Sequence, residues 1–404
     1  MAKQRLRILT LTTLFPSATR PRHGIFVENR LLHLQKYGDA EARIVAPVPW
    51  FPSKAERFGR YASFARTPRQ ELRAGNIVYH PRYAALPGIG SWVHPFSLAV
   101  AFLRQIRLLQ RSGFEGDIVD AHYFYPDGVA AALVARCIDK PLVITARGSD
   151  INLFPDFAWP RRLILWATRQ AGAIVAVSAA LKQRLVKLGV DPARITVLRN
   201  GVDLDLFRPA TKQEARARIG LVDGPLIASI GNLVPEKGHD LAIGALALLP
   251  RTHLMILGSG PQRVKLQELA HRIGVGDRVH FLAERAQSEL KWVYSAADVL
   301  VLASLREGWP NVLLESMACG TPVVAADVGG VREIVTEPCA GRIVDERSAE
   351  AFAKAIRGIA DETPQPLRVR RFAERFDWTA TSQGQLDVFA RAQAEFAGRA
   401  GAVA

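Results

Sequence analysis

The chain has 404 residues, more than a single hydrophobic core usually organises, and its length predicts two domains. Hydrophobic residues make up 49% and charged residues 23%; these proportions exclude a disordered chain, and the lack of any run of about 18 apolar residues excludes an ordinary membrane-spanning helix. The formal net charge of +15 indicates an anionic partner, a property shared by proteins that bind nucleic acid, membrane surfaces or phosphate-bearing substrates.

Short apolar runs alternate with amphipathic helical patterns along most of the chain. Alternation of this kind predicts an α/β fold in which helices cover both faces of mostly parallel sheets. The first group of predicted strands is Leu6–Thr12, Arg43–Pro47, Ile118–His122, Leu142–Thr145, Ala173–Val177 and Ile195–Leu198. The second group is Leu226–Ile230, His253–Leu257, Val279–Leu282, Val299–Leu302, Val323–Ala326 and Ile343–Val344.

A polar segment that ends in proline, NGVDLDLFRP at 200–209, separates the two groups. It predicts a domain boundary, with one Rossmann-like domain at 1–208 and a second at 209–377. Ligands of open α/β sheets bind beyond the carboxyl ends of the strands. The loops that follow the predicted strands are therefore where we expect the chemistry.

The N-terminus predicts a first buried strand and no secretion signal, because its short apolar stretch lacks a small-residue cleavage site. The three cysteines, Cys137, Cys319 and Cys339, lack metal-ligand spacing and fit a reducing compartment. We therefore expect a cytoplasmic protein.

The excess positive charge lies in the first half of the chain. Residues 1–208 contain 30 Lys and Arg against 15 Asp and Glu, whereas the remainder contains 23 of each. Residues 51–90 form an irregular segment that interleaves arginines with aromatic residues, and the predicted helix that follows carries Arg104, Arg107 and Arg111 along one side. These features predict peripheral docking on an anionic membrane surface; the alternative is a solvated basic face on an ordinary packed helix.

The most informative segment is REGWPNVLLESMACGTPVV at 306–324. Pro310 suits the first turn of a helix, and Gly320 with Pro322 ends it, so Glu307 precedes the helix and Glu315 lies on it. The free N–H groups at the start of such a helix bind anions. Carboxylates on either side of that anion can accept hydrogen bonds from hydroxyls, an arrangement suited to a sugar–diphosphate–ribose ligand.

This run of 19 residues, in which seven residues separate the two glutamates, resembles glycosyltransferase family 4. The resemblance implies the GT-B fold, in which two Rossmann-like domains have parallel sheets that face across a deep cleft and a C-terminal helix, here 378–396, crosses back to the first domain. It implies that Glu307 holds sugar hydroxyls in a catalytic role and that Glu315 holds the ribose. The other donor-binding residues it implies here are Gly308, Trp309, Asn311, Val312 and Leu313.

Further segments are similar to the same family. GNLVPEKGHDLAI at 231–243 resembles its phosphate-binding loop, in which Lys237 would neutralise charge on the departing diphosphate in a catalytic role. Many members have Arg where this chain has Asn232, so one positive charge is missing. Asn232 remains a donor-binding residue by this resemblance, because its amide can still donate a hydrogen bond, and Arg147 and Arg199 are candidates to supply the charge.

In the first half, DIVDAHYFYPDG at 117–128 resembles the family segment that places a catalytic histidine, here His122, near the donor sugar; the alternative is a satisfied core histidine. The resemblance puts Gly24 closest to the donor phosphate. It makes His23, Arg147 and Asp150 acceptor-side candidates, with Arg22 beside them, although Asp150 would equally cap the next turn.

The sequence contains no cluster of metal ligands and no P-loop, so we expect no cofactor and no metal. The resemblance implies a retaining glycosyltransferase that takes a UDP- or GDP-linked sugar as donor. The acceptor would be a lipid-linked glycan or oligosaccharide of bacterial surface-polysaccharide biosynthesis. The alternatives are a nucleotide-sugar 2-epimerase of the same fold and a basic nucleic-acid-binding protein, for which no motif is visible.

Overall fold

The computed structural model describes residues 5–85, 90–221 and 224–401. The chain forms two compact units: unit 1 comprises Met1–Arg199 together with Thr379–Ala404, and unit 2 comprises Asn200–Trp378.

Unit 1 is built on an eight-stranded sheet. Its strands and those of a separate two-stranded sheet are β1 (Leu6–Leu11), β2 (Ala40–Val45), β3 (Val48–Pro49), β4 (Gln70–Arg73), β5 (Asn76–Tyr79), β6 (Arg82–Tyr83), β7 (Ile118–His122), β8 (Leu142–Ala146), β9 (Ala173–Ala176) and β10 (Ile195–Val197). The order in the large sheet is β10-β9-β8-β7-β1-β2-β5-β4, and β3 pairs with β6. Every pair is parallel except β4–β5.

The α-helices that the described residues form before the second unit are α1 (Ile25–Tyr37), α2 (Arg60–Arg66), α3 (Gly90–Arg111), α4 (Val129–Ile138), α5 (Ser149–Asn152), α6 (Ala158–Gln170) and α7 (Ala179–Lys187). The segment expected to be irregular, 51–90, thus contains α2 and three strands. The hairpin β4–β5 turns at Ala74 and Gly75, both with positive φ, which is the backbone required by a tight two-residue turn.

Unit 2 contains a six-stranded, fully parallel sheet of order β13-β12-β11-β14-β15-β16. Its strands are β11 (Leu226–Ile230), β12 (His253–Leu257), β13 (Val279–Leu282), β14 (Val299–Leu302), β15 (Val323–Ala326) and β16 (Gly341–Val344). Its helices are α8 (Lys212–Ile219), α9 (His239–Ala247), α10 (Arg263–Arg272), α11 (Leu290–Ala296), α12 (Asn311–Ala318), α13 (Val331–Ile334), α14 (Ala349–Glu362) and α15 (Pro366–Ala373). Strands β11, β14 and β15 are buried along their length, as continuous apolar runs require when helices cover both faces of a parallel sheet.

The last helix, α16 (Thr379–Gly401), belongs to unit 1. Its residues Val388, Phe389 and Ala392 are part of the apolar core beneath β1 and α1. Gln385 accepts a 2.6 Å hydrogen bond from the buried Arg30 of α1, which also donates to the Leu198 carbonyl. Unit 1 is therefore assembled from two stretches of chain that are separated by the whole of unit 2.

The segment expected to join the domains packs within unit 2. The Val202 amide donates to the Phe376 carbonyl over 2.8 Å, and the Phe207 ring meets the Tyr294 ring edge-on at 5.9 Å. The units accordingly divide between Arg199 and Asn200, whereas the sequence places the boundary between 208 and 209.

Candidate active site

In unit 2, the loops that follow β11 and β14 meet through an ion pair. Lys237 ends a short 3-10 helix after β11, and Glu307 lies in the loop after β14. The Lys237 Nζ is 2.6 Å from the Glu307 Oε1, with 28% and 11% of the two side chains exposed. The structure thus brings together two residues that are 70 positions apart in sequence and carry opposite charges.

The Lys237 loop lies close against the sheet. Gly238 has φ +66°, and a Cβ there would lie 2.1 Å from the Ala303 carbonyl oxygen, so only glycine allows this close approach. The buried His239 ring bridges the Ser229 hydroxyl at 2.8 Å and the Asn232 carbonyl at 3.2 Å. Burial lowers the pKa of His239, so the ring is neutral at pH 7. The Asn232 side chain itself is exposed.

The segment before α12 is anchored to the start of unit 2. The buried Trp309 indole donates to the Asn200 carbonyl over 3.0 Å, and the Asn200 amide donates to the Asn311 Oδ1 over 3.3 Å. The Gly308 carbonyl accepts from the Gly330 amide over 3.2 Å. These contacts fix the point at which α12 begins.

Farther into α12, Leu313 is fully buried and Val312 is partly exposed. Glu315 accepts a 2.5 Å hydrogen bond from the hydroxyl of the buried Tyr294 on α11. Burial raises the pKa of the Glu315 carboxyl to about 7, an effect that the Tyr294 hydrogen bond opposes. A ligand hydroxyl that donates a hydrogen bond to Glu315 favours the ionised carboxylate. Such a hydrogen bond would therefore contribute most to binding near neutral pH.

In unit 1, His122 ends β7 with its ring buried and both nitrogens engaged. The Arg147 guanidinium donates to His122 Nδ1 over 2.8 Å, and His122 Nε2 lies 3.1 Å from the Asp120 carboxylate. Because arginine has no acceptor, Nδ1 carries the lone pair and the Nε2 proton points to Asp120. Burial lowers the pKa of His122 to about 4, which keeps the ring neutral. Burial by itself would raise the pKa of Asp120, but His122, Arg30 and Arg147 together have the larger effect, so the pKa of Asp120 is lowered.

Asp150 organises the loop after β8. Its carboxylate accepts hydrogen bonds from the main-chain N–H groups of Phe124, Arg147 and Gly148, the shortest being 2.7 Å. The Arg147 side chain is 8% exposed, and its guanidinium lies over the Phe26 ring at 5.4 Å. Asp150 and Arg147, two of the acceptor-side candidates, thus have internal partners that shape the loop.

The loop after β1 closes on itself before α1. Gly24 has φ +73°, and a Cβ at this position would lie 2.2 Å from the Leu14 carbonyl carbon. His23 Nε2 contacts the Thr13 carbonyl at 3.0 Å, and burial lowers the pKa of the ring to about 4. Neighbouring Arg22 is partly exposed.

Four residues near these predicted sites were missed by sequence reasoning: Asp120, Asp127, His239 and Tyr294. Asp127 accepts hydrogen bonds from the Thr13 amide and from two threonine hydroxyls, and burial raises its pKa to about 7. Polar residues at the ends of the apolar runs around positions 120 and 230 were a signal in the sequence from which further site residues could have been predicted. Tyr294 gave none, because it reads as an ordinary core residue of an amphipathic helix.

Within the described ranges, no three His, Cys, Asp or Glu side chains are grouped so that they could hold a metal ion. Over the same ranges, no helix is long and apolar enough to cross a membrane.

Two family descriptions match most of the chain between them. Residues 211–376 match the family described as glycosyl transferases group 1, and residues 60–206 match glycosyltransferase family 4.

Relatives of similar length are known in bacteria. The chain is 32% identical over 359 residues to a Bacillus subtilis protein named as a teichuronic acid biosynthesis glycosyltransferase, TuaC, with 87% of this chain and 88% of the relative covered. It is 33% identical over 367 residues to a D-inositol 3-phosphate glycosyltransferase of Xylanimonas cellulosilytica, with 84% and 88% covered.

Solved structures share the fold. Sucrose-phosphate synthase of Thermosynechococcus elongatus aligns with a TM-score of 0.79 at 20% identity, over 97% of this chain and all of the other. Anabaena HepE in complex with UDP-glucose aligns with a TM-score of 0.70 at 20% identity, over 95% of this chain and 99% of the other.

Proposed function

The chain belongs to glycosyltransferase family 4 and has the GT-B fold, and from this premise we propose that it transfers a sugar, with retention of configuration, from a UDP- or GDP-linked donor to a lipid-linked glycan acceptor. The observation that carries the donor site is the Lys237–Glu307 pair at the carboxyl ends of β11 and β14. The relative named for teichuronic acid biosynthesis supports a place in cell-surface polysaccharide biosynthesis.

The donor diphosphate would replace Glu307 as the partner of the Lys237 ammonium. An ammonium that is paired with a carboxylate in the unliganded protein is already positioned and partly desolvated, so little reorganisation is needed when phosphate oxygens replace Glu307. Main-chain N–H groups at the start of α12 add a second source of positive potential. Glu307, freed from Lys237, would then accept hydrogen bonds from sugar hydroxyls, and Glu315 would accept from the ribose.

In the transfer step the bond between the anomeric carbon and the phosphate oxygen breaks, and the nucleoside diphosphate leaves with the electron pair. The acceptor oxygen bonds to the same face of the sugar, and its proton passes to the leaving phosphate oxygen. Lys237 stabilises the charge that develops on that oxygen. We expect no metal in this step, and the contact of His122 with the sugar stays a prediction.

A thermal-shift screen of nucleoside diphosphates and their sugars tests the donor site. We expect one nucleotide to stabilise the protein, and Lys237→Ala or Glu315→Ala to abolish that stabilisation, whereas Lys265→Ala, which changes an exposed lysine of α10, keeps it. EDTA should leave the stabilisation unchanged. A nucleotide that stabilises the Lys237→Ala and Glu315→Ala variants as well as it stabilises the unmodified protein would refute the assignment.

The proposal of a lipid-linked acceptor includes docking of the protein on an anionic membrane surface. Arg104, Arg107 and Arg111 are all exposed along α3, next to the exposed apolar residues Val100 and Leu108. This combination is typical of helices that lie on anionic lipid. We expect the protein to float with phosphatidylglycerol vesicles and the triple Arg→Gln variant to lose most of that binding; equal recovery of the two proteins would contradict the proposal.

A further inference from the structure

Tyr123, the residue that follows β7, has a main-chain conformation that residues other than glycine rarely adopt. Its φ is +83° and its ψ is +111°, although its side chain is large and aromatic. Its amide donates to the Thr145 carbonyl over 2.9 Å, and its own carbonyl accepts from the Gly128 amide over 2.8 Å. The neighbouring elements thus hold a strained conformation in place, and strain that a fold maintains in this way is concentrated at functional sites.

The Tyr123 side chain forms a pair of hydroxyls with Ser149 at the carboxyl edge of the large sheet of unit 1. The two hydroxyl oxygens lie 2.6 Å apart, and Ser149 begins α5 after β8. Ser149 is exposed and Tyr123 is partly exposed, so the pair is open to solvent. Because β7 and β8 are neighbouring parallel strands, and ligands of such sheets bind beyond the carboxyl ends of the strands, the pair lies where a ligand of unit 1 is expected.

Asp150 fixes the two loops that carry this hydroxyl pair. Its buried carboxylate accepts a 2.8 Å hydrogen bond from the amide of Phe124, the residue after Tyr123. The same carboxylate accepts a 2.7 Å hydrogen bond from the amide of Gly148, the residue before Ser149. The distance between the two hydroxyls is therefore set by main-chain contacts before a ligand arrives, and binding has few further groups to order.

The charges near the phenol favour a neutral ligand. Burial raises the pKa of Tyr123, and the carboxylates of Asp150 and Asp127 raise it further, against the effect of the Ser149 hydrogen bond. The phenol therefore keeps its proton, and negative charge is disfavoured at this position. Whichever hydroxyl donates to the other, the second retains a proton to donate, and lone pairs remain to accept. A sugar hydroxyl, which donates and accepts in the same way, matches this pair better than a phosphate does.

We propose that Tyr123 and Ser149 form a subsite of unit 1 that binds a hydroxyl group of the acceptor sugar. The inference rests on the proposed function, because a glycan acceptor supplies the hydroxyl that is bound. The two residues would determine which acceptor is held and in what orientation, without taking part in the transfer of the sugar. Replacement of either one removes a single neutral hydrogen bond and leaves the other to water, so a moderate loss of affinity follows.

Binding of simple sugars, measured by NMR titration, tests the subsite. The probes are the methyl glycosides of glucose, galactose, mannose and N-acetylglucosamine, titrated with and without the nucleoside diphosphate selected by the thermal-shift screen. We expect at least one glycoside to bind, and Tyr123→Phe or Ser149→Ala to weaken its binding about three- to tenfold, because a neutral hydrogen bond is lost. Tyr61→Phe removes the hydroxyl of another exposed tyrosine of unit 1, which accepts from Arg60, and should have no effect.

Glycoside binding that is unchanged by both replacements, or absent from the unmodified protein for all four probes, would overturn the subsite. Stabilisation of Tyr123→Phe by the nucleotide shows that this variant folds. If it does not fold, Ser149→Ala, which changes an exposed position, still decides the outcome. If no nucleotide stabilises the unmodified protein, the proposed function fails, while the titrations without nucleotide still decide the subsite.

A second comparison separates the acceptor sugar from the sugar of the donor. We expect Tyr123→Phe to bind the nucleotide sugar selected by the same screen as tightly as the unmodified protein does, measured by calorimetry, because the subsite holds the acceptor. A Tyr123→Phe variant that loses affinity for the nucleotide sugar but binds the glycosides as the unmodified protein does would contradict the proposal.

Discussion

At the scale of single residues, Glu315 couples nucleotide binding to pH. Its pKa, raised to about 7 by burial, means that the carboxyl is protonated in much of the unliganded protein below pH 7. Glu315 must lose this proton before its ionised carboxylate can accept a hydrogen bond from a ribose hydroxyl. We expect nucleotide affinity to rise about tenfold per pH unit from pH 5 toward 7 and to level off above 7, as measured by calorimetry.

The nucleotide's own phosphate titrates near pH 6, so the control is Glu315→Gln, which binds the same nucleotide without a titrating carboxyl. The difference between the two profiles belongs to Glu315, and identical profiles would show that this carboxyl does not meet the ligand. Stability should respond with the opposite sign. The native state holds the proton to higher pH than the unfolded chain, so Glu315 lowers the free energy of unfolding as pH rises from about 4.5 through about 7.

From the sequence, only the family resemblance connected Lys237 with the segment at 306–324 that carries Glu307. The sequence shows two charged loops 70 residues apart, and nothing local says that β11 and β14 are neighbours in the sheet. The same holds for Tyr294 and Glu315, which lie on consecutive helices but meet only because α11 packs against α12.

At the scale of elements, the turn from β1 into α1 depends on Gly24. An alanine there meets the main chain of Leu14 and must also keep a positive φ. Gly113, with φ +87° and open space around its Cβ position, is the matched control, so that Gly113→Ala should cost only about 1 kcal/mol. We expect Gly24→Ala to lower the free energy of unfolding of unit 1 by about 1–3 kcal/mol more than Gly113→Ala in urea titrations. Equal losses would mean that the loop relaxes freely around the new methyl group.

Strands and helices could be predicted from the sequence wherever an apolar run was long enough to show the periodicity of one or the other. Leu226–Ile230, His253–Leu257 and Val299–Leu302 coincide with β11, β12 and β14 as observed. The hairpin β4–β5 was missed because its strands have four residues each and carry mixed charged and apolar side chains. Its stability comes from pairing with β2, a long-range contact that no local pattern encodes.

At the scale of the whole molecule, the α/β class, the GT-B fold and the family were predictable, because strand and helix periodicities agree with the motif segments throughout. The limits of the units were harder to predict. A proline-ended polar segment is a typical linker, yet 200–209 is tied to unit 2 by Phe207, Arg370 and Trp309, through contacts that only the folded chain creates.

The two units have separate apolar cores, and α16 belongs to only one of them. We expect Phe389→Ala, which empties a fully buried position of α16, to cost about 3–5 kcal/mol in unit 1 alone. Hydrogen exchange should accelerate in β1 and β8 and stay unchanged in β11 and β12. Gln383→Ala, on the same helix but bonded only to Asp387, should change neither unit. Equal acceleration in both units would show that they unfold as one cooperative body.

The two-stretch construction of unit 1 also sets an order of events on the ribosome. The chain of unit 2 is delivered in full before α16 emerges, so unit 2 can finish folding while α1 still exposes the apolar side that α16 later covers. For that interval Val27, Leu31 and Leu34 of α1 lack the helix that later packs against them, and exposed apolar surface of this kind makes a folding intermediate prone to aggregation. Helix α16 thus completes the core of unit 1 only after the whole of unit 2 has been synthesised.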